Sequence, residues 1–277
     1  MSRAPSRCTL RRMTTPRTRT GHGPFRPDQL HSGDAYELSE GHAIYCAPTG
    51  GDGGGPNGRG FLVIDSDPKV KSAGVDTGFQ LSPLTMRAPD VAAGDFAERP
   101  GWVQGVPPLA IEYASVGQDE HELREKIDDL LRAGTQHLWI VRLTGPRRVE
   151  VYEPGSPMRT VLPGQSLSAP GVLQNEVPVE ALYDRDAAHE VTLRNLLDAR
   201  GYGSLDAVRK EAREEGREEG REEESRSALL ATIAARGWSL DDANALRVAG
   251  CRDLPTLRAW TIRSVTAASL DAVFADS

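Results

Sequence analysis

The stretch "PPLAIEYAS" (107–115) reads as a strand with a carboxylate at its centre. Successive side chains on a strand alternate in direction, so Leu109, Ile111 and Tyr113 point one way. Glu112 points the other, between Ala110 and Ala114. A carboxylate isolated among apolar neighbours either takes up a proton or destabilises the fold, so Glu112 requires a cation, hydrogen-bond donors or a metal. Two further residues fit that need. Asp90 opens another short strand in "APDVA", and Lys126 lies in "DEHELREKIDDLLRA" downstream. Two carboxylates on adjacent strands with an ammonium nearby form a hard-cation site. They offer oxygen ligands to Mg²⁺ and a positive group to hold and polarise an attacking water. The chemistry implied is metal-assisted hydrolysis of a phosphodiester. Taken singly, each residue also has a plainer reading: Glu112 and Lys126 as a structural ion pair, Asp90 as a turn residue after Pro89.

The elements that must position these groups are legible around them. In the segment 119–133, Leu123, Ile127, Leu130 and Leu131 recur at i, i+4, i+7 and i+8, which predicts an amphipathic helix. Asp119 can cap its start, with Glu122 three residues on, and Gly134 is placed to end it. Lys126 falls roughly 85° from the centre of the apolar stripe, on the same flank as Asp119. From that border a lysine can lay its stem over the core and deliver its ammonium to the sheet. "HLWIVRL" and "RVEVYE", joined by "TGPR", predict an antiparallel hairpin with Trp139 in the core. Around it, Arg132, Arg142, Arg147 and Arg148 form either a phosphate-contacting edge or an ordinary solvated surface. Upstream, a turn near Gly41 precedes a strand through Ile44 and Tyr45. The glycine-dense 49–60 is expected as a loop, "FLVID" (61–65) as a strand, and 66–87 as mostly loop.

Several other chemistries are excluded. Gly53-x-Gly55-x-x-Gly58 has the spacing of a dinucleotide-binding turn, but it contains Pro56 and precedes a strand-like run where a helix N-terminus is required. No Gly-Lys-Ser/Thr, His-Glu-x-x-His or Gly-x-Ser-x-Gly pattern occurs.

In their order and spacing, "YEL" with Glu40–Gly41, "APDVA", "PPLAIEYAS", "DEHELREK" and "RAGTQHLWIVRL" resemble the Uma-type restriction endonuclease domain. That domain is a branch of the PD-(D/E)XK nuclease superfamily, and the resemblance spans about residues 33–155. It implies an α/β (α+β) restriction-endonuclease-like core, with a central mixed sheet flanked by helices, and Mg²⁺-dependent cleavage of DNA. Asp90 and Glu112 take the metal-binding positions. The lysine usual two residues after the Glu is replaced by Ala114, and Lys126 matches the branch's lysine on the following helix. Glu37 corresponds to an acidic residue that supports the site, and Asp119 is a second candidate for that role. Two departures stand out: the glycine run 49–60 in place of a helix, and Ala114–Ser115 where a more hydrophobic pair is usual. A catalytically degenerate interaction protein and an RNA-directed nuclease remain alternatives, and a homodimer is plausible by analogy.

The chain has 277 residues and a net charge of −7, unevenly placed. Residues 1–27 carry seven arginines and no acid, so the remainder is roughly twice as negative as the whole. An acidic body argues against a non-specific DNA coat but allows a local basic cleft. The expected organisation is a disordered basic tail (1–27), a nuclease-like domain (28–185), a charged helical connector (186–235) and a small helical unit (236–277). The tail's composition also fits a transit peptide, and Met13 offers a second start that would leave residues 1–12 outside the native protein. Three scattered cysteines with no Cys-x-x-Cys suggest neither disulfides nor zinc and fit a reducing cytoplasm. No apolar run approaches a membrane span. "EAREEGREEGREEES" lacks an apolar seam and predicts a solvated helix with starts for further helices at Ser239, Asp253 and Ser269 beyond it.

Overall fold

The computed structural model describes residues 23–275; residues 1–22 of the basic start, including the second Met, lie outside the described part. Residues 23–27, read as the end of the tail, are tied to the body: the Phe25 N–H donates to Gly41 O at 2.7 Å, and the Trp102 indole donates to Pro27 O at 2.9 Å. Contacts divide the chain into two compact units, one through Gly201 and one from Tyr202.

The first unit contains, in order, β1 (Tyr36–Ser39), β2 (His42–Tyr45), α1 (Gly51–Asp65), β3 (Ser72–Val75), β4 (Phe79–Ser82), β5 (Thr85–Arg87) and β6 (Val91–Gly94). There follow β7 (Val103–Gln104), β8 (Leu109–Ala114), α2 (Glu120–Ala133), β9 (His137–Arg142), β10 (Arg148–Tyr152) and β11 (Arg159–Val161). A short pair, β12 (Ser166–Leu167) and β13 (Val177–Pro178), leads to α3 (Arg185–Ala199). A six-stranded sheet runs in the order β11-β10-β9-β8-β6-β3. It is mixed: β8 and β9 are parallel, with α2 as their crossover, and the other pairs are antiparallel, including the expected β9–β10 hairpin.

All six residues of β8 are buried because both faces of the sheet are covered. Leu109, Ile111 and Tyr113 pack with Val63 and Ile64 of α1 and with Ala188 and Val191 of α3. Ala110 and Ala114 face Leu123, Ile127 and Leu130 of α2. The parity read from sequence therefore holds, and Glu112 lies on the α2 side. A second sheet of five strands, β2-β1-β5-β4-β7, covers α2 from its other flank; the helix touches β1, β4 and β5 as well as β9.

Three expectations are corrected. The glycine run is not a loop and "FLVID" is not a strand: together they form α1. Glycine costs about 1 kcal/mol against Ala in a helix, which is why propensity argues against one here. Packing reverses that preference. The buried positions Gly53, Pro56, Asn57, Gly60, Val63 and Ile64 fall on one helical face. A Cβ at Gly60 would overlap the Tyr113 hydroxyl, and one at Gly53 would lie 3.3 Å from Ser115 Oγ. The glycines thus let the helix backbone approach β8 more closely than any other residue would allow. Residues 66–87 likewise hold three strands, which are too short and polar to announce themselves.

The second unit begins with α4 (Leu205–Ala235), a 31-residue helix containing the charged repeat, followed by α5 (Asp242–Gly250), α6 (Leu254–Thr266) and α7 (Leu270–Phe274). The first of the expected later starts is capped by Asp241, not Ser239: its carboxylate accepts from the Asn244 N–H at 2.7 Å. Asp253 and Ser269 cap α6 and α7 as read. Leu229 and Ile233 of α4 pack with Val248, Leu257, Trp260, Val273 and Phe274. No helix among the described residues is long and apolar enough to cross a membrane.

Candidate active site

The site forms where β6 and β8 run side by side. Val91 is paired with Ile111 in antiparallel register, so Asp90, one residue earlier, stands opposite Glu112, and opposite residues share a face. Asp90 Oδ2 accepts the Tyr113 N–H at 2.6 Å, which fixes its carboxyl against the strand. On α2, Asp119 caps the helix by accepting from the N–H groups of His121 (2.8 Å) and Glu122 (3.1 Å). The cap sets the helix's start, and Lys126 follows two turns in.

Lys126 is the hub. Its ammonium stands 2.7 Å from Glu112 Oε1 and 2.9 Å from Glu37 Oε1, and it donates to Ala88 O at 2.7 Å. The structure therefore gathers Asp90, Glu112, Lys126 and Glu37 into one cleft of about 220 Å³, with Asp119 also on its wall. Lys126 is half-buried at the border where the helical wheel placed it, its side chain 14% exposed beneath the five-stranded sheet.

Sequence reading missed Arg87 and Asp129. Arg87 is 1% exposed and links two acids: Nη1 donates to Glu37 Oε2 at 3.1 Å, and Nε donates to Asp129 Oδ2 at 2.9 Å. Ser39 Oγ also donates to Asp129 Oδ2, at 2.7 Å. The available signal was weak. Asp129 lies beside the apolar stripe of α2, and Arg87 directly precedes "APD".

Acids outnumber bases in this buried and half-buried set: Asp90, Glu112, Glu37 and Asp129 face Arg87 and Lys126, with Arg132 reaching Asp129 from the surface. The ionisation behaviour follows. Burial pushes the Glu112 carboxyl up to about 8, with Asp90 and Glu37 adding to the rise and Lys126 opposing it. Asp90 is also raised, again chiefly by burial, against the pull of Lys126 and the Tyr113 N–H. For Glu37 burial acts upward, but Lys126 and Arg87 together outweigh it and hold its carboxyl below the usual range. Burial would lower Lys126, yet the charges of Glu112, Glu37 and Asp90 prevail and raise it.

These residues fit a divalent ion. Although Lys126 is close, Glu112 Oε1 is buried and receives no hydrogen bond of good alignment. Two carboxylates facing each other across β6 and β8, in a pocket with excess negative charge, are a suitable ligand set for a hard cation. Among the described residues no group of three or more His, Cys, Asp or Glu forms a cage. Mg²⁺ needs no such cage, since it keeps several waters and uses one or two carboxylates.

The four arginines are not brought to this cleft as a set. Arg142 pairs with Glu120 (2.6 Å) and Glu150 (2.9 Å), and Arg148 pairs with Glu150 (3.1 Å). Arg147 donates to Leu143 O and lies over the Tyr183 ring. Arg132 reaches Glu40 (3.5 Å) and Asp129 (3.3 Å) from the far end of α2.

The profile of the family described as Uma2, "Putative restriction endonuclease", matches residues 26–180. A solved structure described as a putative nuclease belonging to DUF820, from Anabaena variabilis ATCC 29413, superposes with a TM-score of 0.51 at 19% identity. The match covers 60% of this chain and 99% of that one. It reflects a shared fold, here a mixed sheet flanked by helices. No curated protein matches.

Proposed function

Since this chain belongs to the Uma2 family of restriction-endonuclease-type proteins, we propose that it is a Mg²⁺-dependent endonuclease hydrolysing phosphodiester bonds of DNA in the cytoplasm. Asp90 and Glu112 would hold the ion, with the Tyr113 carbonyl as a further ligand. Bound there, the ion supplies positive charge to the attacking water and to the leaving 3′-oxygen. Asp90 keeps its carboxyl in place through the Tyr113 N–H. Lys126 holds a proton donor beside Glu112 and is charged throughout the ordinary pH range, so it can orient a water or a phosphate oxygen but is no general base there. Glu37, charged and held by Arg87, anchors Lys126 from the other side. A homodimer would present one such cleft to each strand of a duplex.

The observation that carries this reading is the convergence of Asp90 and Glu112, opposite each other on β6 and β8, on one cleft where acids exceed bases. One observation favours the catalytically inert alternative. The Lys126 ammonium already lies within 2.9 Å of three oxygens, those of Glu37, Glu112 and Ala88, as many as it has protons to donate. The readings part in a plasmid-nicking assay with Mg²⁺. The nuclease reading expects the wild type to nick and Glu112→Gln to lose at least about a hundredfold in rate. The absence of nicking by both proteins supports the inert alternative. Competition by RNA for the same site tests whether DNA is the substrate.

A further inference from the structure

Arg87 and Asp129 touch neither of the proposed metal ligands, yet their side chains are 2% and 5% exposed. Replacing a buried ion pair by hydrocarbon is often neutral or stabilising, so stability alone is a weak reason to bury these charges. Their geometry supplies a better one. Asp129 accepts from Arg87 Nε at 2.9 Å, has Nη2 in ion-pair reach at 2.8 Å, and is itself held by Ser39 Oγ at 2.7 Å. Arg87 Nη1 takes one oxygen of Glu37 at 3.1 Å, leaving the other to face Lys126 at 2.9 Å. Charge alternates along this line, from Asp129 to Arg87 to Glu37 to Lys126. Both of its ends lie on α2, while Glu37 and Arg87 stand on neighbouring strands of the five-stranded sheet. Without such a line, a lysine is a point charge on a flexible four-carbon stem.

We propose that Arg87 and Asp129 are positioning residues, which fix the Lys126 ammonium against Glu112 by clamping Glu37 between the two sheets. The kinetic consequence rests on the nuclease reading; the geometric claim does not. The sequence makes the geometry measurable, because Lys69, Lys71, Lys126 and Lys210 are the only lysines in the chain. An ammonium held by fixed acceptors exchanges its protons slowly enough to give a ¹H–¹⁵N signal in protein carrying ¹⁵N-lysine. Wild type is expected to show one such signal that vanishes in Lys126→Arg. It should be lost in Arg87→Gln and weakened in Asp129→Asn, with the remaining spectrum folded. Alongside, kcat should fall about a hundredfold, as for a misplaced group, with KM within about twofold of wild type. Should Arg87→Gln fail to fold, the near-isosteric Asp129→Asn and the milder Ser39→Ala decide the matter. An undiminished Lys126 signal in the variants, or none in wild type, overturns the proposal. A wild type that never cuts, but whose signal disappears in the variants, removes the nuclease reading and leaves the positioning role standing. The converse result, cutting with the signal unchanged in the variants, does the reverse.

Discussion

Glu112 is taken out of water by the central sheet and α2, and the ammonium beside it restores only part of what hydration supplied. Its carboxyl is consequently raised from 4.5 to about 8 in the folded chain. Between those values the folded state holds a proton that the unfolded state has released. Stability contributed by this group is therefore complete below 4.5 and is lost as pH rises through about 8. Glu112→Gln cannot titrate. In the absence of divalent ions, the Tm difference between variant and wild type should thus move in the variant's favour across this window, as followed by thermal denaturation at stepped pH. Parallel Tm curves for the two proteins would mean that Glu112 is ionised throughout. The same proton competes with a metal, so Mg²⁺ affinity measured by calorimetry should rise with pH, by up to about tenfold per unit, until about 8.

At the scale of elements, the two glycine-bearing helices make opposite predictions from the same substitution. Gly216 of α4 has nothing within 4 Å of where a methyl would go, so Gly216→Ala should stabilise that helix by about 0.5–1 kcal/mol and raise helical circular dichroism. Gly60→Ala in α1 gains the same propensity but pushes a methyl into the Tyr113 hydroxyl, which donates to Leu182 O at 3.0 Å. It should lower stability by about 1–3 kcal/mol, as overpacking does. The contrast also explains what the sequence could show. The alternation in "LAIEYA" and the leucine stripe of α2 each report one burial surface, and both were legible, as was the meeting of Glu112 with Lys126. Helix α1 was not, because its glycines exist for a close approach to β8 that no local pattern records. Arg87 escaped notice for a related reason. Its partners Glu37 and Asp129 lie 50 and 42 residues away, and they meet only through a second sheet whose strands run two to four residues each.

At the scale of the whole molecule, each unit has apolar clusters of its own. Those of the first unit draw on residues up to Val191, whereas the cluster of the second draws on Leu229 to Phe274, and no residue is shared. Within the second unit, the exposed middle of α4 carries arginines and glutamates at four-residue spacing with no apolar stripe of its own. Charge pairs on such a surface contribute only a few tenths of a kcal/mol each, so this stretch depends on the cluster at its C-terminal end. Trp260 is central to that cluster: it is 5% exposed, meets the Phe274 ring edge-on at 5.1 Å and carries Arg247 over its face at 5.1 Å. Trp260→Ala should cost about 3–5 kcal/mol, most of the stability available to a unit of this size. Scanning calorimetry should then resolve two transitions in the wild type. In the variant the one belonging to the second unit should fall by about 10 °C or more, and the one belonging to the nuclease-like unit should stay in place. A single transition that moves as a whole would mean that the two cores unfold as one, and that damage to the C-terminal helices must reach the cleft around Glu112.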